Sequence, residues 1–242
     1  MLQKIKSLIQ ESKSIVVFSG VNLLRESGLT CPWAEERAYE IEEIYGYSPE
    51  EIISYDFFRR KKEIFYRFYK EVVLDMEKIQ PTQAHHAIAR LEKQGKLNHV
   101  ITRDIFGQYQ MAGVSRVIEL FGTIHTNICP KCGREYSLDY VYRSLGVPIC
   151  GKCKAVLRPA FSFFGESMDN NKISKSAEVV SKADMVIIAG TTMDSNLTRS
   201  LLKYFSGDRV ILINDEPNYG DDLANCVLYG KCGDILPQII SE

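Results

Sequence analysis

Ser14-Ile15-Val16-Val17-Phe18-Ser19-Gly20-Val21-Asn22-Leu23-Leu24-Arg25-Glu26-Ser27-Gly28 is the stretch on which the fold turns. A short β-branched run ends at Gly20 and leads into residues that favour helix, which reads as a buried strand, a tight turn and a helix start. In a doubly wound fold this turn is where backbone amides face a pyrophosphate. As a phosphate loop it is poor, because Gly20 and Gly28 are its only glycines and Val21 and Asn22 add side chains where small residues are wanted.

Working outward, runs of the same apolar kind occur at Leu97–Thr102, Ser115–Leu120, Asp184–Gly190 and Asp208–Asn214, with a weaker one at Asn225–Tyr229. Helical spacing fills the gaps: the first residues after Met1, Thr82–Gln94 behind Pro81, Asn170–Lys182 and Leu197–Phe205. Alternating strands and helices predict an α/β fold, a Rossmann-like doubly wound parallel sheet with helices on both faces. Pro49–Lys78 departs from this rhythm as an aromatic-rich helical segment, expected to pack on the sheet as an insertion. Its stretch of Tyr39, Tyr45, Tyr47, Tyr55, Phe57 and Phe58 reads as packing for its own core rather than as the lining of an acyl or peptide channel.

The chain has 242 residues, room for one or two domains, and 30 Lys and Arg against 31 Asp and Glu leave no single-sign field to gather nucleic acid or an anionic membrane. The opening residues carry no secretory pattern and no stretch is apolar for long enough to span a bilayer, so a cytoplasmic protein is expected. Four of the seven cysteines fall into Cys129-Pro130-Lys131-Cys132 and Cys150-Gly151-Lys152-Cys153, the C-x2-C-x17-C-x2-C spacing of two turn-borne thiolate pairs that complete one tetrahedral zinc site. Gly133 and Gly151 are expected to relieve the backbone where it curls back. Four thiolates leave no open position, so the zinc is structural. The expected division is a Rossmann-like domain over 1–33, 80–124 and 158–242, a helical insertion over 34–79 and a zinc-binding module over 125–157, the last two together forming a small domain.

These segments, taken in order, resemble the sirtuins over essentially the whole chain. The likeness is carried by Glu26-Ser27-Gly28, Val100-Ile101-Thr102, Ile118-Glu119-Leu120 before the first cysteine pair, Arg158-Pro159 running to Phe164-Gly165-Glu166, Gly190-Thr191-Thr192 and Asn214-Asp215-Glu216. The resemblance implies an NAD-dependent protein deacylase fold with a zinc ribbon. It implies cofactor contacts at Gly20, Glu26, Ser27, Gly190, Thr191, Thr192, Asn214, Glu216 and Cys232.

Where the family's chemistry belongs, this sequence differs. Phe121 stands at the catalytic His position, and a phenyl ring neither accepts a proton nor hydrogen-bonds a ribose hydroxyl. Asp104 and Phe106 replace the family's Asn and Asp, and Thr30-Cys31-Pro32-Trp33 replaces the segment that covers the nicotinamide ribose. The adenosine half is better kept than the nicotinamide half. The resemblance therefore implies a divergent sirtuin-like protein that has lost lysine deacylation. It would act by binding an adenine nucleotide, NAD or ADP-ribose in type, or a protein partner such as a homologous subunit. The alternative is an active NAD-consuming enzyme, an ADP-ribosyltransferase or glycohydrolase that uses Asp104 or Glu119, or a residual deacetylase that uses His125. Cys31 is a further candidate nucleophile, while His85 and His86 read as capping or packing residues.

Overall fold

The computed structural model describes residues 1–29 and 35–240. Cys31, Pro32 and Trp33 lie outside them. The described strands are β1 (Ile15–Ser19), β2 (Leu97–Thr102), β3 (Val117–Glu119), β4 (Gly122–Ile128), β5 (Glu135–Ser137), β6 (Arg158–Phe161), β7 (Met185–Ala189), β8 (Val210–Asn214) and β9 (Cys226–Tyr229). Two compact units contain them. One comprises Met1–Gly28, Gln80–Leu120 and Asp169–Glu242; the other comprises Leu29–Ile79 and Phe121–Met168.

In the first unit a six-stranded sheet runs β3-β2-β1-β7-β8-β9 with every pairing parallel. Each of β1, β7 and β8 is buried along its whole length, which is why these strands read as unbroken β-branched runs rather than alternating ones. Strand order reverses between β1 and β7, so the topological switch point of the sheet lies there. The core beneath joins Ile15, Val17, Ile187 and Ile213 to Ile5 and Ile9 of the first helix and to Ala84, Ala87, Ile88 and Leu91 of helix Gln83–Lys93. That helix starts with a reciprocal cap: the Thr82 amide donates to Nδ1 of His85 at 3.1 Å, while the Thr82 side chain accepts from the backbone at His85. The buried His85 ring lies 4.6 Å from that of Tyr109, and burial, with a smaller contribution from His86, brings its pKa down to about 4.

The second unit holds a three-stranded antiparallel sheet, β5-β4-β6, with the helical segment packed on it. Pro49–Lys78 is a chain of short pieces rather than one helix: Ser48 and Ser54 each cap a new turn, and Lys61 leaves helical geometry at φ −132°. The aromatic stripe buries itself within this unit. Phe58 stacks on Phe163 at 4.9 Å, Phe65 meets Phe163 at 5.4 Å and Tyr69 meets Phe161 at 5.9 Å. The insertion thus rests on β6 and its flank, within the same compact unit as the cysteine-bearing segment. Tyr45 packs on Phe68 and Tyr47 on Phe57, as expected of core filling, whereas Tyr39 and Tyr55 are exposed, at 67% and 39%, and do not fill the core as expected. The Tyr66 hydroxyl donates to the Leu157 carbonyl at 2.6 Å, which ties the helices to the cysteine-bearing segment.

Candidate functional site

The parallel sheet brings the candidate nucleotide residues of the first unit to the carboxyl ends of its strands, the side on which open α/β sheets bind ligands. Gly20 directly follows β1 and Gly190 directly follows β7, and their backbones touch: a Cβ on Gly20 would lie 2.2 Å from the Gly190 carbonyl oxygen. Gly190 adopts φ +65°, and a Cβ there would lie 2.3 Å from Leu23 Cδ1. Both glycines are therefore required by the close approach of two loops, whatever ligand the sheet takes. The Gly20 amide donates to the Ala189 carbonyl at 3.0 Å and the Asn22 amide to the Gly190 carbonyl at 3.1 Å, so these two donors are used in joining β1 to β7.

Across this junction lies a polar bridge that local spacing did not reveal. The side-chain amide of Asn22 donates to Oδ1 of Asn214 at 3.1 Å and to Oδ1 of Asp215 at 2.9 Å. Asn214 is buried at the end of β8, and its own amide donates to the Glu216 carbonyl at 3.3 Å. Glu216 and Asp215 are exposed, and Thr191 and Thr192 are half-buried on the loop after β7.

Glu26 has a structural task. Its carboxylate accepts the backbone amides of Cys232 and Gly233, both at 2.7 Å, and so caps helix Cys232–Ile239. The Cys232 side chain turns inward and donates to the Ile213 carbonyl at 3.6 Å, and burial pushes its thiol far above the usual range. The Ser27 hydroxyl returns to the Leu23 carbonyl at 3.3 Å. On the loop after β2, buried Asp104 accepts from the Phe106 amide at 2.7 Å and the Gln108 amide at 3.1 Å, one on each carboxylate oxygen. At the end of β3 the Glu119 carbonyl accepts from Lys172 at 2.7 Å.

In the second unit Phe121 is half-buried just before β4, and its carbonyl accepts from the Ser162 amide at 2.8 Å. His125 lies within the irregular stretch of β4 between Thr123 and Asn127, where its amide donates to the Thr123 hydroxyl at 3.2 Å.

The four cysteines converge, with all four sulfurs within 4.8 Å of one another. The Cys129–Cys153 and Cys132–Cys150 separations are 3.4 and 3.7 Å, close to the ~3.8 Å edge of a tetrahedron with Zn–S bonds near 2.3 Å. This donor set fits zinc and leaves no vertex for water. Each pair sits on a turn of the same construction. Gly133 N–H donates to the Cys129 carbonyl at 2.9 Å and Lys154 N–H to the Cys150 carbonyl at 3.0 Å, with φ +68° at Gly133 and +60° at Lys154. The second left-handed position is thus Lys154, and Gly151, expected to fill that role, is not among the positive-φ glycines. Tyr136, on β5, braces the second turn: its hydroxyl accepts from Gly151 N–H at 2.9 Å and donates to Cys150 Sγ at 3.0 Å, which is the chief cause bringing that thiol down to about 5.

A model of the Sir2 family matches residues 14–196. The chain is 34% identical over 240 residues to an NAD-dependent protein deacetylase of Clostridium acetobutylicum, covering 99% of this chain and 98% of that one. It is 32% identical over 244 residues to NAD-dependent protein deacylase 2 of Pyrobaculum aerophilum, covering 98% and 94%. A solved structure that addresses sirtuin substrate affinity superposes with a TM-score of 0.90 at 26% identity, covering 99% of this chain and 98% of its own. Fold, cysteine geometry and relatives agree: the chain belongs to the Sir2 family.

Proposed function

We propose that this Sir2-family chain does not deacylate lysine and instead binds an adenine nucleotide, NAD or ADP-ribose in type, at the carboxyl ends of β1, β7 and β8. The observation that carries the proposal is Phe121 in Glu119-Leu120-Phe121-Gly122, where the family resemblance calls for an imidazole. General-base catalysis needs a side chain that can take a proton within hydrogen-bond reach, and a hydrocarbon ring supplies none. His125 is a poor substitute, since four residues of extended chain span ~13 Å. Bound NAD would bring a leaving nicotinamide and an adenosine anchor; Thr191, Thr192, Asn214 and Glu216, at the ends of β7 and β8, are the retained residues that would serve the anchor.

The rival, an NAD-consuming transferase or glycohydrolase, asks Asp104 to stabilise charge developing on a ribose. Both oxygens of that carboxylate already hold backbone amides of their own loop, which favours a loop-organising role. Incubation of the zinc-loaded protein with NAD and an acetyl-lysine peptide is expected to give neither nicotinamide nor free lysine above the protein-free rate. Calorimetry with ADP-ribose is expected to show saturable binding. NAD-dependent deacetylation overturns the proposal, and nicotinamide release that disappears in Asp104→Ala establishes the rival.

A further inference from the structure

We infer that Asn22 is a latch over the sheet's switch point that sets which part of an adenine nucleotide the site accepts: the adenosine portion is admitted, and the diphosphate is held off until the latch opens. The inference deepens the nucleotide-binding reading and rests on it.

The geometry is specific. Asn22 opens the short helix Asn22–Glu26 that follows β1, yet its side chain reaches past Gly190 to the end of β8. A Cβ placed on Gly190, the residue after β7, would lie 3.3 Å from Asn22 Cβ. The carboxamide is fixed at its far end by two acceptors, Asn214 Oδ1 at 3.1 Å and Asp215 Oδ1 at 2.9 Å. In dinucleotide-binding turns this position lacks a side chain so that a pyrophosphate can lie against the backbone. Here that space holds an amide pinned by two hydrogen bonds.

Charges of both signs stand beside the latch: the Asp215 carboxylate, the nearer acceptor, repels an entering diphosphate, while the Arg25 guanidinium, which donates to Asn22 Oδ1 at 3.5 Å, attracts it, so the latch acts through its bridge and the space it fills. A nucleoside brings no phosphate charge and does not need the space. The latch therefore acts as a population tax on diphosphate ligands: apparent affinity falls by the fraction of molecules in which Asn22 is open. A tenfold tax corresponds to ~1.4 kcal/mol, well within what two hydrogen bonds can impose.

Titration calorimetry with ADP-ribose and with adenosine, on the wild-type chain, Asn22→Gly and Asn22→Ala, tests this. Asn22→Gly is expected to bind ADP-ribose at least about tenfold more tightly, with adenosine changing less than about threefold. Asn22→Ala, which cuts the bridge but keeps a Cβ, falls between and serves where the glycine variant melts early. If both folded variants bind ADP-ribose no better than wild type, while wild type still binds it, the latch is overturned and the nucleotide reading stands. An equal gain for adenosine also overturns it, because the bridge then blocks the nucleoside itself. Absence of binding by all three proteins to either ligand removes the latch together with the reading beneath it.

Discussion

The cysteine turns of the second unit and the β1 turn of the first are both short loops that the sequence marks by spacing, and they have fared differently. Around the sulfurs every element of a metal site is present: four donors, two matching turns, and a tyrosine donating to one thiolate. Around Gly20 the backbone scaffold is present, but the neighbouring Asn22 carries a side chain that is bridged to Asn214 and Asp215. A metal site is defined by the atoms that touch the ion, so losing one loses the site. A ligand crevice is defined by what is absent from it, and a single side chain can close it while the fold persists.

The largest expected effect is on the cysteine side. Structural zinc contributes ~10–16 kcal/mol of apparent binding free energy in small domains, most of which appears as folding. Chelation, or Cys132→Ser, is expected to abolish hydrogen-exchange protection across β4, β5 and the Cys150 turn, while β1, β7 and β8 keep theirs. Metal analysis of the native protein should give one zinc per chain. Equal loss of protection in both sheets would break the comparison, because the first unit would then depend on the metal as well.

Next in size is Gly20→Ala, which tests whether the β1 turn is kept for packing. The added methyl would sit 2.2 Å from the Gly190 carbonyl oxygen and 2.3 Å from Thr191 Cβ. Neither neighbour is the free end of a flexible chain, so about 3 kcal/mol of stability should be lost in urea unfolding. A cost below about 1 kcal/mol would mean that the loops can part, and that the glycine serves a ligand instead.

Acid sharpens the contrast within the first unit. His85 titrates at about 4 when folded and at the ordinary 6.5 when unfolded, so between those values the unfolded chain binds a proton that the folded chain refuses. Its contribution is complete above pH 6.5 and is lost as pH falls toward 4, a loss on the order of 3 kcal/mol over the window. Urea midpoints taken at pH 7, 5.5 and 4.5 should fall more steeply for the wild-type chain than for His85→Gln, which has no proton to take up; parallel slopes would remove His85 as the cause.

How much of this was legible depends on where the determining contacts lie. The six parallel strands were readable because burial on both faces writes itself as contiguous runs such as Val16-Val17-Phe18 and Val186-Ile187-Ile188. The small sheet was not: β5 has three residues, and β4 loses its register with β6 between Thr123 and Asn127, so no clean alternation survives. Zinc ligands were readable because the chemistry needs fixed spacing. The Asn22–Asn214 bridge joins residues 192 positions apart, and no local pattern encodes such a pair. The Glu26 carboxylate is engaged by the Cys232 and Gly233 amides, 206 and 207 positions away, and that pairing too is set by tertiary structure.

Lys154 offers the smallest effect and the finest test of the two cysteine turns. Its φ of +60° matches the +68° of Gly133, four residues beyond the first cysteine of each pair, so one turn is built with glycine and the other with a residue that pays for its conformation. A left-handed residue other than glycine costs ~1–2 kcal/mol, of which the greater freedom of glycine in the unfolded chain returns ~0.5–1 when the substitution is made. Lys154→Gly should therefore stabilise the module by ~0.5–1 kcal/mol. Gly133→Ala should destabilise it by ~1 kcal/mol for backbone reasons alone, since a Cβ there meets nothing within 4 Å. Zinc release to a colorimetric chelator reads both, slower in the first variant and faster in the second. If Lys154→Gly releases zinc faster, the lysine side chain holds the turn by a contact of its own, and the two turns are alike in backbone only.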